Sequence, residues 1–450
     1  MMLRPATARL RLLTRHPTFG AGRLADARPP GPNGQGAAEH TPAYPFRNGN
    51  RAVAGMTSPS GTGQCGVSPG MTDRATSRIT RGGLIARAAP TPWSARRGQL
   101  DALQAGRMVA ALMVTLYHAN NFTLPLRLYD GQIVWAGFGM GYAGVEFFFV
   151  LSGFIMAHVH GRDMNRPETL RSYARKRFIR IYPVYWIVLG GVILMAQLVD
   201  GLPPELLRDP RVVLTSILLI PDHARTILPV AWTLKHEVVF YLVFAIFLVH
   251  ARLAVALFAL WVLGCLVGLA APPLRFPADF LLSPYNLLFV AGMGVARHFG
   301  DLPDRAVGPL LLVGIGGFLA VGLSEQYGVP WTLSVRTICF GVAASALVAA
   351  LARTSAAIPG WAIFLGNASY ALYLVHLPVM NAVAIVLARL GAQHWLAPEI
   401  ALCLLAGCAV AGAAVFHVAV ERPLLAMLST RLHAPRALQP TGGRGRNGAL

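Results

Sequence analysis

From residue 107 onwards, apolar runs of roughly 17 to 25 residues alternate with short polar connections. A helix needs about 20 apolar residues to cross the hydrocarbon core of a bilayer, which is about 30 Å thick. The pattern therefore predicts an all-α fold, a polytopic transmembrane helix bundle of about ten spans. The predicted spans cover about 107–124, 138–159, 181–199, 233–250, 253–271, 282–298, 307–324, 335–352, 366–388 and 399–420.

Composition supports a membrane protein and argues against a nucleic-acid binder. Hydrophobic residues make up 55% of the chain and charged residues only 13%, too few to cover the surface of a soluble domain of this size. The net charge of +20 comes from basic residues in the N-terminal segment and in loops, not on one folded face. Membrane lipid is the expected partner, and no nucleic acid is expected. The five cysteines show neither metal-ligand nor redox spacing, so no metal site is predicted.

Arginine and lysine placement predicts the orientation of the bundle and its domain limits. Seven basic residues between 162 and 180 put the loop after the second run on the cytoplasmic side, with both termini cytoplasmic. Three arginines in the outer 200–232 loop conflict with this, although a long loop is a weaker determinant. We expect a disordered Arg/Gly/Pro-rich extension over 1–98, a membrane domain over 99–425 and a disordered cytoplasmic tail over 426–450. Residues 212–220 suggest a re-entrant or interfacial helix.

The first functional candidates are Arg107 and His118, because ionisable groups inside apolar runs are costly. Eleven positions apart, they lie within about 20° on one helix face but about 16 Å apart along the axis, too far to pair. A histidine at that depth can accept a proton from a hydroxyl. It can equally be a structural histidine hydrogen-bonded to a neighbouring helix, and the spacing alone leaves both interpretations open.

The second candidate is Glu146, which begins an otherwise apolar run. Its carboxylate is either a solvated helix end or a group that orients a histidine or a substrate hydroxyl. The following Ser152-Gly153 predicts close helix approach rather than nucleophilic attack. A G-x-G-x-x-G pattern at 139–144 has no preceding strand, so a dinucleotide site is rejected.

Two arginines, Arg177 and Arg180, stand three apart and share a helix face. Paired guanidinium groups suit phosphate oxygens, but a positive-inside anchor beside an aromatic belt explains the same residues. Further candidates have hydroxyl, carboxyl or imidazole groups at helical spacing in two later runs: Thr233, Glu237 and Tyr241, and Ser369, Tyr373 and His376. The closing Glu421-Arg422-Pro423 is expected to cap the bundle at the cytoplasmic surface.

Taken in order, these segments resemble the acyltransferase-3 family of integral membrane acyltransferases, over about residues 100 to 424. The matching motifs are Arg107 with His118, the block from Gly144 to Phe154, the R-x-x-R before Tyr182-Pro183, the block from Trp232 to Tyr241, the block from Ser369 to Pro378, and the E-R-P at 421–423. Glu146 replaces the usual Asp, and Thr233 replaces the common Ser. The Thr variant and Phe154-Ile155-Met156 are more similar to the exopolysaccharide-production branch.

The resemblance implies an enzyme of a bacterial inner membrane, spanning it several times. It would move an acyl group, with acetyl as the first expectation, from acyl-CoA to a hydroxyl of an envelope or exopolysaccharide sugar or a lipid-linked glycan. Acyl-CoA is then a donor substrate, and no permanently bound cofactor is implied. By resemblance, the catalytic group is His118, Glu237 and Glu146; the donor-binding group is Arg107, Arg177 and Arg180; and the substrate or structural group is Thr233, Tyr241, Ser369, Tyr373 and His376.

The alternative is a transporter or flippase for a sugar or lipid that performs no acyl transfer. Many transporters show an internal repeat between their halves, and we find no convincing repeat in this sequence. The acceptor, the acyl chain length and the oligomeric state stay open.

Overall fold

The computed structural model describes residues 97–198, 204–222, 226–270 and 274–433, which form helices joined by short connections, with no strand among them. The predicted all-α class is therefore confirmed for this part of the chain. The α-helices are α1 (Arg97–His118), α2 (Leu124–Arg127), α3 (Gly144–His160), α4 (Leu170–Leu198), α5 (Pro204–Arg208), α6 (Pro210–Leu218), α7 (Ala231–Val249), α8 (Ala251–Ala270), α9 (Ala278–Leu281), α10 (Pro284–His298), α11 (Val307–Gln326), α12 (Leu333–Arg353), α13 (Gly360–Asn367), α14 (Ser369–Arg389), α15 (Pro398–Phe416) and α16 (Arg422–His433).

Nine helical segments within these described residues are long and apolar enough to cross a membrane. They coincide with the second to tenth predicted runs, so the protein is a multi-pass membrane protein. The first run belongs to α1, which begins ten residues earlier, at Arg97, and whose first half is polar. A tenth crossing by α1 and the cytoplasmic location of both termini stay predictions.

Several boundaries differ from those expected from hydropathy. Helix α4 begins at Leu170, well before the predicted run at 181, because its first turns are the basic segment itself. Long basic side chains extend a helix into the membrane interface without adding apolar length. Helix α16 continues to His433, so the tail predicted to start at 426 begins inside a helix. The rest of that tail and the predicted extension, apart from its last two residues, lie outside the described residues.

Glycine lets α3 and α10 cross almost backbone to backbone. A Cβ on Gly153 would lie 2.0 Å from the Phe289 carbonyl oxygen, and one on Gly292 would lie 1.9 Å from the Val150 oxygen. Real Cβ atoms essentially never approach another atom within 3.0 Å. The prediction that Gly153 serves close helix approach is confirmed. The neighbouring Ser152 hydroxyl takes part in a side-chain hydrogen bond to α7.

The G-x-G-x-x-G segment has the same kind of packing role against α1. Residues Ala136–Ala143 form a 3-10 helix that leads into α3. A Cβ on Gly141 would lie 2.2 Å from the Met113 oxygen, and one on Gly144 would lie 2.4 Å from the Ala110 oxygen. These glycines therefore hold the start of α3, including Glu146, directly against α1.

The segment between α4 and α7 folds back along α4. Three α4 side chains donate hydrogen bonds to carbonyl oxygens at the end of α6: Tyr185 to Ser216 (2.6 Å), Tyr182 to Leu218 (2.9 Å) and Trp186 to Ile217 (2.9 Å). These bonds tie the end of α6 to α4 just after its basic first turns. The re-entrant and the interfacial interpretations of residues 212–220 both stay predictions.

Two π-helical turns interrupt the regular helices. One, Ala119–Thr123, directly follows His118, and the other, His417–Glu421, leads into α16. Such turns are rare and often occur at functional sites. Both of them lie beside residues of the candidate site.

Candidate functional site

His118 and His376, which are 258 positions apart in the chain, meet where α1 and α14 pack together. The Nε2 atom of His376 lies 3.3 Å from Nδ1 of His118, and the two ring centroids are 4.9 Å apart. His376 is fully buried, whereas His118 is partly exposed. Tyr117 and Phe122 also contact the His118 ring, at centroid distances of 5.0 and 5.7 Å.

Backbone carbonyls determine which ring nitrogens carry hydrogen. Nδ1 of His118 lies 2.9 Å from the Val114 oxygen, and Nδ1 of His376 lies 2.9 Å from the Leu372 oxygen. A carbonyl only accepts, so both imidazoles carry their hydrogen on Nδ1. Nε2 of neutral His376 then accepts from the same His118 Nδ1–H, and Nε2 of His118 keeps its lone pair for another partner. In this arrangement the free basic nitrogen is His118 Nε2.

A hydroxyl pair connects α7 to α14 one turn from His376. The Tyr373 hydroxyl lies 2.7 Å from Thr233 Oγ1 and donates to the Val230 oxygen at 3.0 Å. Thr233 Oγ1 also lies 3.1 Å from the Val230 oxygen, so the two hydroxyls and this carbonyl form one hydrogen-bonded group. Ser369, one further turn towards the start of α14, is buried, and its Oγ has no hydrogen-bond partner among the described residues.

Glu237 lies one turn after Thr233 and is held by two hydroxyl donors. Ser152 of α3 donates to its Oε1 at 3.1 Å and Tyr241 donates to the same oxygen at 2.5 Å. The Arg177 guanidinium lies 5.6 Å from the centre of the Tyr241 ring, a cation–π contact. The predicted common face of Thr233, Glu237 and Tyr241 is thus an inward face of the bundle.

Arg180 lies in a different contact group from Arg177. Its guanidinium lies 4.9 Å from the centre of the Tyr370 ring, and its Nη1 donates to Glu421 Oε1 at 3.3 Å. The other oxygen of Glu421, Oε2, lies 2.7 Å from His417 Nδ1. Glu421 is 1% exposed and connects α4 to the π turn before α16, whereas Arg422 and Pro423 are exposed; the predicted capping of the bundle by this segment at the cytoplasmic surface stays a prediction.

Arg107 faces the same charged region from α1. Its Nη1 donates to Gln104 at 3.0 Å, and its charge interacts electrostatically with Arg180, Glu421 and Glu237. A recess of about 350 Å³ lies beside Arg180 and is also lined by Lys176 and Ser429. Arg107 and Arg180 therefore share one charged region, whereas Arg177 lies over a different tyrosine ring from Arg180.

Glu146 stands apart from both groups. Glu146 is 1% exposed, and within the described part of the chain neither carboxyl oxygen has a hydrogen-bond partner outside the residue's own backbone. Arg336 and Glu325 interact with it electrostatically. The interpretation of Glu146 as a solvated helix end is therefore wrong. Sequence reasoning missed Arg336 and Glu325. The signal available was the position of these two ionisable residues, at the end of α11 and the start of α12, on either side of a short connection.

Sequence similarity to known proteins covers most of the helices that carry these groups and ends before Glu421 and α16. Residues 100–418, well over half of the chain, match the acyltransferase-3 family, described as an acyltransferase domain. The chain belongs to the acyltransferase-3 family. It is 32% identical over 268 residues to the exopolysaccharide production protein ExoZ of Rhizobium meliloti (strain 1021), covering 55% of this chain and 79% of that protein. It is 29% identical over 162 residues to protein 2 in the picA locus of Rhizobium radiobacter, covering 31% of this chain and 77% of that protein. No solved structure matches the chain.

Proposed function

We propose that this membrane acyltransferase moves an acyl group, acetyl in the first instance, from acyl-CoA to a hydroxyl of an exopolysaccharide or another envelope glycan in a bacterial inner membrane. The family supports acyl transfer, and the name of the Rhizobium meliloti relative supports an exopolysaccharide acceptor. The observation that carries the proposal is the histidine pair, which leaves one imidazole nitrogen of His118 free at a partly exposed position.

The chemistry assigned to His118 is general base catalysis. Nε2 takes the proton of the acceptor hydroxyl while the hydroxyl oxygen attacks the thioester carbonyl. The carbon–sulfur bond breaks, an oxygen ester forms, and the proton passes from Nε2 to the departing CoA thiolate. Protonation of Nε2 makes His118 a cation, and the hydrogen bond from its Nδ1 to His376 then strengthens. His376 is in this scheme a positioning residue.

The arginine region is assigned to the donor. Arg107 and Arg180 interact electrostatically, and Arg177 lies one helix turn from Arg180, an accumulation of positive charge that favours an anionic ligand such as the phosphates of CoA. The Arg177 Nε is buried and has no hydrogen-bond partner among the described residues, so it has a donor left for a phosphate oxygen. Glu237, fixed by Ser152 and Tyr241, lies between this region and the histidine pair, where it can orient the thioester end or the acceptor.

The decisive experiment uses membranes that contain the protein, labelled acetyl-CoA and envelope polysaccharide from a strain lacking the gene. His118→Ala should abolish transfer of label, a loss of about 100-fold or more for a general base. His394→Ala is the matched control, because that histidine is exposed and its ring pairs with the neighbouring Gln393 at 3.3 Å. Size-exclusion profiles in detergent check that both variants fold. Retained transfer by His118→Ala would refute the assignment.

The same experiment separates acyl transfer from transport. A flippase would move glycan or lipid across vesicles without consuming acetyl-CoA, and no thiol would be released. Thiol release that depends on both the acceptor and His118 supports the enzyme.

The donor assignment has its own test. Replacing both Arg177 and Arg180 by Ala should raise KM for acyl-CoA at least tenfold and change KM for the acceptor less. Arg171→Ala on the same helix is the control, because Arg171 is exposed. An unchanged KM for acyl-CoA would contradict donor binding and leave membrane anchoring as the role of both arginines.

A further inference from the structure

A second polar cluster lies where α11 and α12 are joined, and we call Tyr142, Glu146, Glu325, Arg336 and Thr337 the Arg336 cluster. Arg336 Nη1 donates to Glu325 Oε1 at 2.5 Å, and the Tyr142 hydroxyl donates to the other oxygen of Glu325. The Arg336 guanidinium also lies over the Tyr142 ring, 4.9 Å from its centre. The three side chains hold one another in a fixed arrangement.

The cluster has polar atoms that lack a well-formed hydrogen bond within the described part of the chain. They are both carboxyl oxygens of Glu146, the Nε of Arg336 and the Oγ1 of Thr337. The Tyr285 hydroxyl lies close to Arg336 and Thr337 and interacts with both. A buried polar atom without a partner costs about 1–3 kcal/mol, so such atoms are rare and each needs an explanation. Here acceptors and donors lie in one place, within electrostatic range of one another, yet without hydrogen bonds between them.

The cluster is one aromatic ring away from the histidine pair. The Tyr117 ring lies 5.0 Å from the His118 ring and 5.7 Å from the Tyr142 ring, with edge-to-face geometry in both contacts. Arg336 and Glu325 keep 21% and 17% of their side chains exposed, whereas Glu146 and Thr337 are buried. The cluster therefore has two partly exposed members, Arg336 and Glu325, two buried ones, Glu146 and Thr337, and a single ring between it and His118.

The geometry points to an acceptor subsite in which neighbouring hydroxyls of a neutral sugar bind between Glu146, Arg336 and Thr337. A hydroxyl both donates and accepts, which is what an unpaired carboxyl group next to an unpaired N–H requires. The charge of Arg336 is already paired with Glu325, so a carboxylated sugar finds no free cation in the cluster. The inference rests on the proposed function, since it supplies the acceptor side of that reaction.

Direct binding is tested without acyl-CoA. Purified protein in detergent is heated with cellobiose, maltose or lactose, and with cellobiouronic acid as the charged counterpart. At least one neutral disaccharide should raise Tm in a concentration-dependent manner, and Thr337→Val and Glu146→Gln should abolish that rise. If no neutral disaccharide shifts Tm, or if only the uronic acid does, the subsite is wrong and water fills the unpaired positions.

Kinetics give the second measurement. Thr337→Val should raise KM for the polysaccharide acceptor about tenfold, the effect of one lost hydrogen bond of ordinary strength, and leave KM for acetyl-CoA unchanged. Ser345→Ala is the control on the same helix, because its hydroxyl donates only to the Gly341 oxygen at 2.7 Å within α12. An unchanged acceptor KM in Thr337→Val would overturn the inference even if His118→Ala is inactive. If the unmodified protein shows the sugar-dependent rise in Tm but transfers no acyl group, the proposed function is wrong and the subsite is retained.

Discussion

The crossing of α3 and α10 allows a test on two glycines of one helix. Gly292 and Gly294 are two positions apart in α10, but a Cβ at Gly292 meets the Val150 backbone oxygen at 1.9 Å, whereas one at Gly294 meets nothing within 4 Å. Each is replaced by Ala. Both replacements gain the same helix propensity, up to about 1 kcal/mol. The difference between the two variants therefore isolates the steric cost of the crossing.

The size of that cost follows from the distance. The two helices must separate by more than 1 Å before the new Cβ reaches the 3.0 Å limit, and the obstructing atom belongs to a backbone that has no rotamer to change. Overpacking of this kind costs about 1–3 kcal/mol. With a slope of roughly 2 °C per kcal/mol for a large domain, Gly292→Ala should melt about 2–6 °C below Gly294→Ala.

The assay heats each variant in detergent and measures the fraction of protein that stays monodisperse at each temperature. The variants are heated side by side, because the apparent Tm of irreversible unfolding depends on the heating regime. Gly153→Ala should resemble Gly292→Ala, and the double variant should lose less than the sum, since both force the same separation. Equal Tm values for Gly292→Ala and Gly294→Ala would refute the packing argument.

Three further predictions concern the polar contacts. Glu421→Gln should lower Tm by several degrees, because breaking a buried ion pair costs about 3–5 kcal/mol, and should raise KM for acyl-CoA by disturbing Arg180; an unchanged Tm would contradict the buried bridge. Tyr373→Phe should lower Tm by an amount equivalent to about 1 kcal/mol, and Thr233→Val should add little to it, as a double-mutant cycle would report. His376→Phe keeps an aromatic ring but removes the nitrogen that accepts from His118. The value of kcat should therefore fall more than tenfold, while KM for acyl-CoA stays unchanged. An unchanged kcat would contradict the positioning role of His376.

Sequence reasoning identified the features that depend on one helix at a time. The lengths of the apolar runs predicted the second to tenth spans, which are apolar helices in the structure. Spacing within a run predicted that Glu237 and Tyr241 share one helix face, where they form a hydrogen bond. The start of α4 was missed because a basic amphipathic turn has no hydropathy signal. The first run was placed in α1, but its polar beginning was not recognised as helix.

Contacts between helices could not be predicted in the same way. Ser152 and Glu237 are 85 positions apart, and His118 and His376 are 258 apart. Periodicity states which residues share a face and says nothing about which face packs against which. The contact of Glu421 with Arg180 of α4 could not be predicted for the same reason, since the two residues are 241 positions apart.

The π-helical turn after His118 determines how this part of the chain tolerates changes in length. A π turn contains about one residue more than an α turn. Deleting one residue beyond Asn120 within Ala119–Thr123 would let this turn close as a regular α turn, and the residues beyond it would keep about the same orientation, because both kinds of turn complete one revolution. His118 would keep its position, and the change would be confined to the turn itself, where Asn120 Oδ1 accepts from the Val134 and Trp135 amides at 3.0 and 3.2 Å. This turn is therefore a place where the chain can lose one residue without shifting the helical segments on either side of it.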